Sequence, residues 1–282
     1  MQGGTEIPSK LVLLGTGTPN ADSTRSGPSV AVIVEERPYL IDFGAGVVRQ
    51  IAAARAAGIT GLEVSKLTRA FLTHLHSDHT TGYPDLILTP WTMGRTEPLS
   101  VYGPTGLQAM TDLILSAYAE DIRERLEGLE PANTTGHRVD VQEIEPGLVY
   151  EDDHIRVEAF AVNHGTWPAY GFRLTTPDRV LVISGDTAPF PGWEKAYADC
   201  DLLLHEVRSE AGLDSRPAAW QAYHRAVHTS SVELAEVASI VRPKLLVLYH
   251  QLFHGIEEEE LLREIRDRYD GEVVSGQDLD TF

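Results

Sequence analysis

"TRAFLTHLHSDHTTGYPD", residues 68–85, packs three histidines and one aspartate into six positions: His74, His76, Asp78 and His79. The preceding "KLTRAFLTH" reads as a strand that delivers this loop from its C-terminal end. Imidazole and carboxylate groups are good ligands for zinc and similar divalent metals, and a loop just past a strand can aim several of them inward. Two histidines one residue apart cannot face the same way on a regular helix, but they can on an extended or turning backbone. Asp78 and His79 then address a second position close by, which implies two metals. A merely solvated polar loop has no use for four such side chains at this density.

A binuclear site needs further ligands, and strand ends are the places to look. His164 ends "VEAFAVNHG", Asp186 ends "RVLVISGDT" and His250 ends "KLLVLYH". Each is a polar residue closing an apolar run, where function tends to sit.

The rest of the chain supplies a scaffold. "KLVLLGTGTP" reads as a buried strand, "SVAVIVEERPYLIDFGAG" as two more, and "VVRQIAAARAAG" as a helix ending at Gly58. A helical stretch covers "GLQAMTDLILSAYAEDIRERLEG". Residues 138–184 are strand-rich, and the remainder alternates strand and helix to the final "EEEELLREIRDRYDG", where Leu262, Ile265 and Tyr269 recur at helical spacing. No linker or composition break appears, so residues 1–282 read as a single domain. Two broadly similar halves suggest facing sheets with helices outside, an α/β four-layer αββα sandwich. Gly15 and Gly17 in "GTGT" lack dinucleotide-binding spacing and read as turn residues.

Composition narrows the function. Against 23 basic residues stand 42 acidic ones, a formal net charge of -19, with no Lys/Arg cluster. Such a surface repels a polyanion, which argues against a large nucleic-acid substrate. No apolar run reaches the roughly 18 residues of a membrane span. "MQGGTEIPSK" shows no leader pattern, so a cytoplasmic protein is expected. Cys200 is the only cysteine, which leaves nitrogen and oxygen as metal ligands.

Across most of its length the sequence resembles the metallo-β-lactamase superfamily of metal-dependent hydrolases. Within it, the chain is similar to the ribonuclease Z-like branch, which also holds arylsulfatase-like and cyclic phosphodiesterase-like enzymes. The resemblance rests on "LLGTGTP", "IDFGAG", "THLHSDHTTGYPDL", "VYGPTGL", "NHG", "YGFRL", "SGDTAP", "LLLHEV", "HTSSVELAEVA", "LVLYH" and "GQDLDTF". It implies that His74, His76 and His164 hold one zinc, that Asp78, His79 and His250 hold the other, and that Asp186 bridges them. Two metals roughly 3.5–4 Å apart can share a water and lower its pKa, and Asp78 doubles as the group that orients or deprotonates it. Manganese or iron suits the same ligands. His228 in "VHTSS" resembles a histidine beside the scissile phosphate, and Glu206 in "HEV" a carboxylate that orients it and keeps it protonated. Two plainer roles remain open for His228: capping a helix that begins near Ser230, or sharing a helix face with His224.

One departure bears on substrate. Ribonuclease Z enzymes of this type carry a long tRNA-gripping arm between the strand matching "YGFRL" and the "GDT" motif, whereas here only the short polar turn "TTPD" separates "YGFRL" from "RVLVISGDT". The segment between "HEV" and "HTS" is enlarged instead and contains Trp220 and Tyr223. With Trp91 and Trp167 these aromatics line either a cleft rim or the core. His205 reads as a strand residue, His137 and His154 as surface, and His254 as within reach of the site mouth. The expected activity is a zinc-dependent hydrolase of a small phosphodiester or sulfate ester. Alternatives are a lactone or β-lactam hydrolase and, in another class, a tRNA 3′-processing nuclease or RNA-binding protein. A catalytically silent scaffold is disfavoured because every expected ligand is present. A diiron redox protein ranks last for want of a flavin domain. A small-molecule substrate, no membrane and a homodimer complete the expectation.

Overall fold

In "SVAVIV" (Ser29–Val34) successive side chains enter different cores. Val30, Val32 and Val34 pack between two sheets, while Ala31 and Ile33 pack beneath helices. A strand whose period-two faces are both apolar has to be covered on both sides. The same alternation recurs in Leu246–Tyr249, where Val247 and Tyr249 face the inter-sheet core and Leu246 and Leu248 an outer one. These patterns dictate four layers.

The computed structural model describes residues 8–282; most of the stretch read for a leader lies outside them. Strands β1 (Lys10–Gly15), β2 (Ser29–Val34), β3 (Arg37–Ile41), β4 (Arg69–Phe71), β5 (Leu99–Gly103) and β6 (Val139–Glu143) form one sheet in that order. The second sheet holds β7 (Gly147–Glu151), β8 (Arg156–Ala161), β9 (Tyr170–Thr175), β10 (Val180–Ile183), β11 (Leu202–Arg208), β12 (Leu245–Leu252) and β13 (Val273–Ser275), again as sequential neighbours. Both sheets begin antiparallel and turn parallel, at β3–β4 and at β10–β11. Helices Val47–Ala56 and Tyr83–Thr92 cover the first sheet; Ser231–Val241 and Glu258–Arg266 cover the second. The αββα sandwich is the architecture expected.

Several details differ from expectation. The long helical stretch splits at Tyr118 into Leu107–Ala117 and Ala119–Glu127. The strand-rich stretch 138–184 is divided between the sheets, β6 joining the first. β7, β13 and helix Tyr83–Thr92 went unread, the last because Pro84 and Pro90 disguise it; Pro84 is tolerated in the first turn. β9 and β10 are joined by a tight turn at 176–179, with Val180 opposite Thr175. The tail "GQDLDTF" pairs with β1 through Leu11 and Phe282, and Asp278 accepts from the backbone N–H of Thr16 and Ser26. No helix of the described residues is long and apolar enough to cross a membrane.

Candidate metal centre

The parallel halves of both sheets present their C-terminal ends to one edge, and loops emerging there supply the polar residues. After β4 the chain passes through Thr73 to His76 and then makes a single helical turn, Ser77–Thr80. The backbone of "DFGAG" lies directly against that turn. Phe43 N–H donates to the His79 carbonyl at 3.0 Å, and a Cβ on Gly44 would meet the Asp78 carbonyl at 2.4 Å.

His74, His76, His164 and Asp186 place one ligand atom each within 4.8 Å of one another. Nε2 of His74 and Nε2 of His164 stand 2.9 and 3.0 Å from Nδ1 of His76. The outward nitrogens explain why. Nδ1 of His164 lies 2.8 Å from the Val227 carbonyl, which can only accept, so that nitrogen carries the proton and Nε2 offers a lone pair. Nδ1 of His74 lies 2.9 Å from the Thr73 hydroxyl.

Asp78, His79 and His250 form the adjoining group. Nε2 of His250 is 3.2 Å from Asp78 Oδ2 and 3.4 Å from Asp186 Oδ2. Asp186 reaches both groups: Oδ1 lies 3.6 Å from His79 Nε2 and Oδ2 lies 3.9 Å from His164 Nε2. His250 does not end its strand, as the sequence suggested. It is a bulge inside β12: Tyr249 pairs with Glu206 and Gln251 with Val207, leaving His250 unpaired at φ 47. A bulge re-aims one side chain without breaking the sheet, here into the centre.

The donor set fits divalent metal. Nε2 of His79 and Oδ1 of Asp186 are buried without a hydrogen-bond partner, a costly arrangement unless a cation satisfies them. Burial pushes His79 and His250 down, but Asp186 together with Asp42 or Asp78 outweighs it and raises both. That field attracts positive charge. His74 and His164 are pushed down by burial first, and His76 to about 4, which keeps their lone pairs free.

His228 and Glu206 sit beside this cluster. A ring nitrogen of His228 lies within 4.8 Å of ligand atoms of Asp186 and His250. Its Nδ1 is 3.3 Å from Glu206 Oε2, without hydrogen-bond alignment. Glu206 Oε1 accepts from the Thr229 N–H at 2.8 Å and the Thr187 N–H at 3.3 Å. Burial pushes His228 down to about 4, and burial followed by Asp186 pushes Glu206 up to about 8, so desolvation outweighs the attraction between them. The capping role is excluded, because Ser230 caps helix Ser231–Val241 with Glu233 reciprocating. His228 instead ends helix Ala218–Val227, its ring 5.5 Å from that of His224.

Asp42 was missed. It closes β3 as Asp186 closes β10, so the rule that found one would have found the other. Its carboxylate accepts from Thr73 N–H (2.8 Å) and hydroxyl (3.0 Å) and from His79 Nδ1 (2.7 Å). His79 Nε2 is thereby left to face the cluster. Of the aromatics, Trp91 is core, donating to the Asn133 carbonyl, whereas Trp167, Trp220 and Tyr223 are exposed. His137 and His154 are half-buried rather than on the surface, the first packed at a tilt against Trp91 and the second paired with Glu35. His205 is buried in β11, 3.2 Å from the Tyr197 hydroxyl. His254 meets His224 edge-on, with ring centroids 4.6 Å apart.

A family profile described as beta-lactamase superfamily domain matches residues 37–251. The chain belongs to the beta-lactamase superfamily. With its ribonuclease Z relatives, this places it among the metal-dependent hydrolases of the superfamily. Among its superfamily relatives is a ribonuclease Z from Mycobacterium sp. (strain KMS), 32% identical over 246 residues, covering 86% of this chain and 84% of that one. In fold it is similar to the metallo-beta-lactamase fold protein YhfI from Bacillus subtilis (TM-score 0.76, 17% identity, 98% and 99% of the two chains). Human tRNase Z, short form, gives a TM-score of 0.71 at 24% identity, with 97% and 98% covered.

Proposed function

We propose that this superfamily member hydrolyses a small phosphodiester or sulfate ester at a centre of two divalent cations, zinc in the first place. The observation that carries the reading is the two adjoining ligand groups joined through Asp186, with His228 and Glu206 beside them. In this reading His74, His76 and His164 hold one cation, Asp78, His79 and His250 the other, and Asp186 both. Cations so held supply Lewis acidity and activate water for attack. Asp78, with its second carboxylate oxygen, orients that water. His228 gives a proton to the leaving oxygen. Glu206 fixes the ring of His228 and, being buried and protonated, passes its proton to Nδ1 as His228 gives up its own, which leaves a neutral imidazole and a carboxylate.

Size and charge support a small substrate. The turn at 176–179 leaves no arm between β9 and β10, and a net charge of -19 repels RNA. A second reading, cleavage of an RNA phosphodiester, is favoured by the relative named ribonuclease Z. One rate panel on the zinc-loaded protein separates these: an aryl phosphodiester, an aryl phosphomonoester, an aryl sulfate, a lactone and a precursor tRNA. The proposal expects the diester or the sulfate to be preferred, with His228→Ala lowering kcat about 10²–10⁴-fold. Turnover confined to the lactone and indifferent to His228 would overturn it, and efficient tRNA cleavage would establish the second reading.

A further inference from the structure

Three of the four most exposed aromatic side chains among the described residues, Trp167 (43% exposed), Trp220 (53%) and Tyr223 (42%), border the candidate centre. Exposed indoles in a soluble chain with this much acidic surface call for a physical reason. They are not scattered. Ring centroids form a continuous arc across the site: Trp167 to His76 at 4.6 Å, His76 to His164 at 4.9 Å, His164 to His228 at 5.2 Å, His228 to His224 at 5.5 Å, and His224 to Trp220 at 5.8 Å. Tyr223 packs on the same end, 5.1 Å from His224. Both ends of the arc are wet, and its middle is the set of residues assigned to the reaction.

The segments holding these aromatics are the ones that build the site. Trp167 follows His164 by three residues. Trp220 and Tyr223 stand on helix Ala218–Val227, whose last carbonyl fixes His164 and whose next residue is His228. Tyr223 meets His224 edge-on, on the flank that carries His228. Aromatic faces on both flanks suit a flat ring, which stacks or meets them edge-on. A charged or purely aliphatic group would gain little from them.

We propose that Trp167 on one flank, with Trp220 and Tyr223 on the other, form a specificity clamp for a planar aromatic group of the substrate, either an aryl ring or a nucleobase. The clamp deepens the proposed function and rests on it. The ester lies over the histidines while its aromatic portion is held between the flanks.

Two measurements test the clamp. The first compares phenyl p-nitrophenyl phosphate with methyl p-nitrophenyl phosphate, which share a leaving group and differ only in the retained substituent. The clamp predicts a phenyl-over-methyl preference in kcat/KM, carried by KM, that falls about ten-fold in Trp167→Leu and in Trp220→Leu and is rescued by Trp167→Phe. The second needs no turnover: tryptophan fluorescence is titrated with AMP and with ribose 5-phosphate, which differ by the base. Quenching by AMP alone, with an apparent Kd that weakens in Tyr223→Leu while both tryptophans remain, supports a nucleobase; a phenyl preference without it supports an aryl ring. Equal handling of phenyl and methyl diesters, together with equal binding of the two nucleotide probes, would overturn the clamp while leaving diester hydrolysis intact. If no diester is turned over, the proposed function fails first, and the fluorescence titration still judges the clamp.

Discussion

Asp42 and His250 are non-glycine residues in the left-handed backbone region, at φ 60 and φ 47. That conformation costs an L residue roughly 1–2 kcal/mol, less for Asp, and such outliers gather where a side chain must be aimed. Asp42 makes its role testable. Its Oδ2 accepts from His79 Nδ1 at 2.7 Å, which leaves the other ring nitrogen bare toward the cluster. Asp42→Asn keeps the shape and tolerates the backbone, but it can turn a donor toward Nδ1 and favour the tautomer with Nε2 protonated. Metal affinity should fall about 10–100-fold. Competition titration against a chromophoric chelator reads this directly, and unchanged affinity would show that Asp42 only braces Thr73.

At the scale of elements, the turn between β7 and β8 ties the two sheets together. The Asp152 carboxylate accepts from Tyr39 of β3 and Tyr150 of β7, both at 2.7 Å, and from the N–H groups of His154 and Ile155. Burial pushes this carboxyl up, but the hydrogen bonds, Tyr150 first, outweigh it and hold it below its usual range. A carboxyl lowered on folding adds stability above its unfolded pKa of about 3.9 and loses it as pH falls through the folded value. The stability gap between the protein and Asp152→Asn should therefore narrow as melts are moved from neutral pH to below about 4. A gap that stays constant would remove Asp152 from the acid response. Legibility at this scale followed periodicity. β1, β2 and β12 are long and apolar and could be read directly, as could the ligands that close or interrupt such runs. β7 and β13 could not, being short and held by partners distant in sequence. The bulge at His250 and the pairing of β6 with β5 are likewise products of tertiary contact, and the neutral state of His228 depends on burial that no local pattern reports.

Across the whole molecule, the candidate ligands come from both sheets. His74, His76, Asp78 and His79 follow β4 in the first, while His164, Asp186 and His250 belong to the second. Cations held by this set would clasp the halves of the sandwich, and ligand binding to the folded state alone stabilises it by about 2.7 kcal/mol at a hundredfold excess over Kd. Stripping the protein with a chelator should lower Tm measurably, and zinc should restore it; a Tm indifferent to both would mean that no metal bridges the sheets. The central claim is a two-cation centre that cleaves a small ester. The most direct test titrates zinc into the stripped protein while hydrolysis of bis(p-nitrophenyl) phosphate and bound metal are followed together. The account predicts activity that rises until about two equivalents are bound and a centre that loses occupancy in Asp186→Ala. Full activity at one equivalent would contradict the binuclear centre, and no diester hydrolysis at any loading would contradict the proposed reaction.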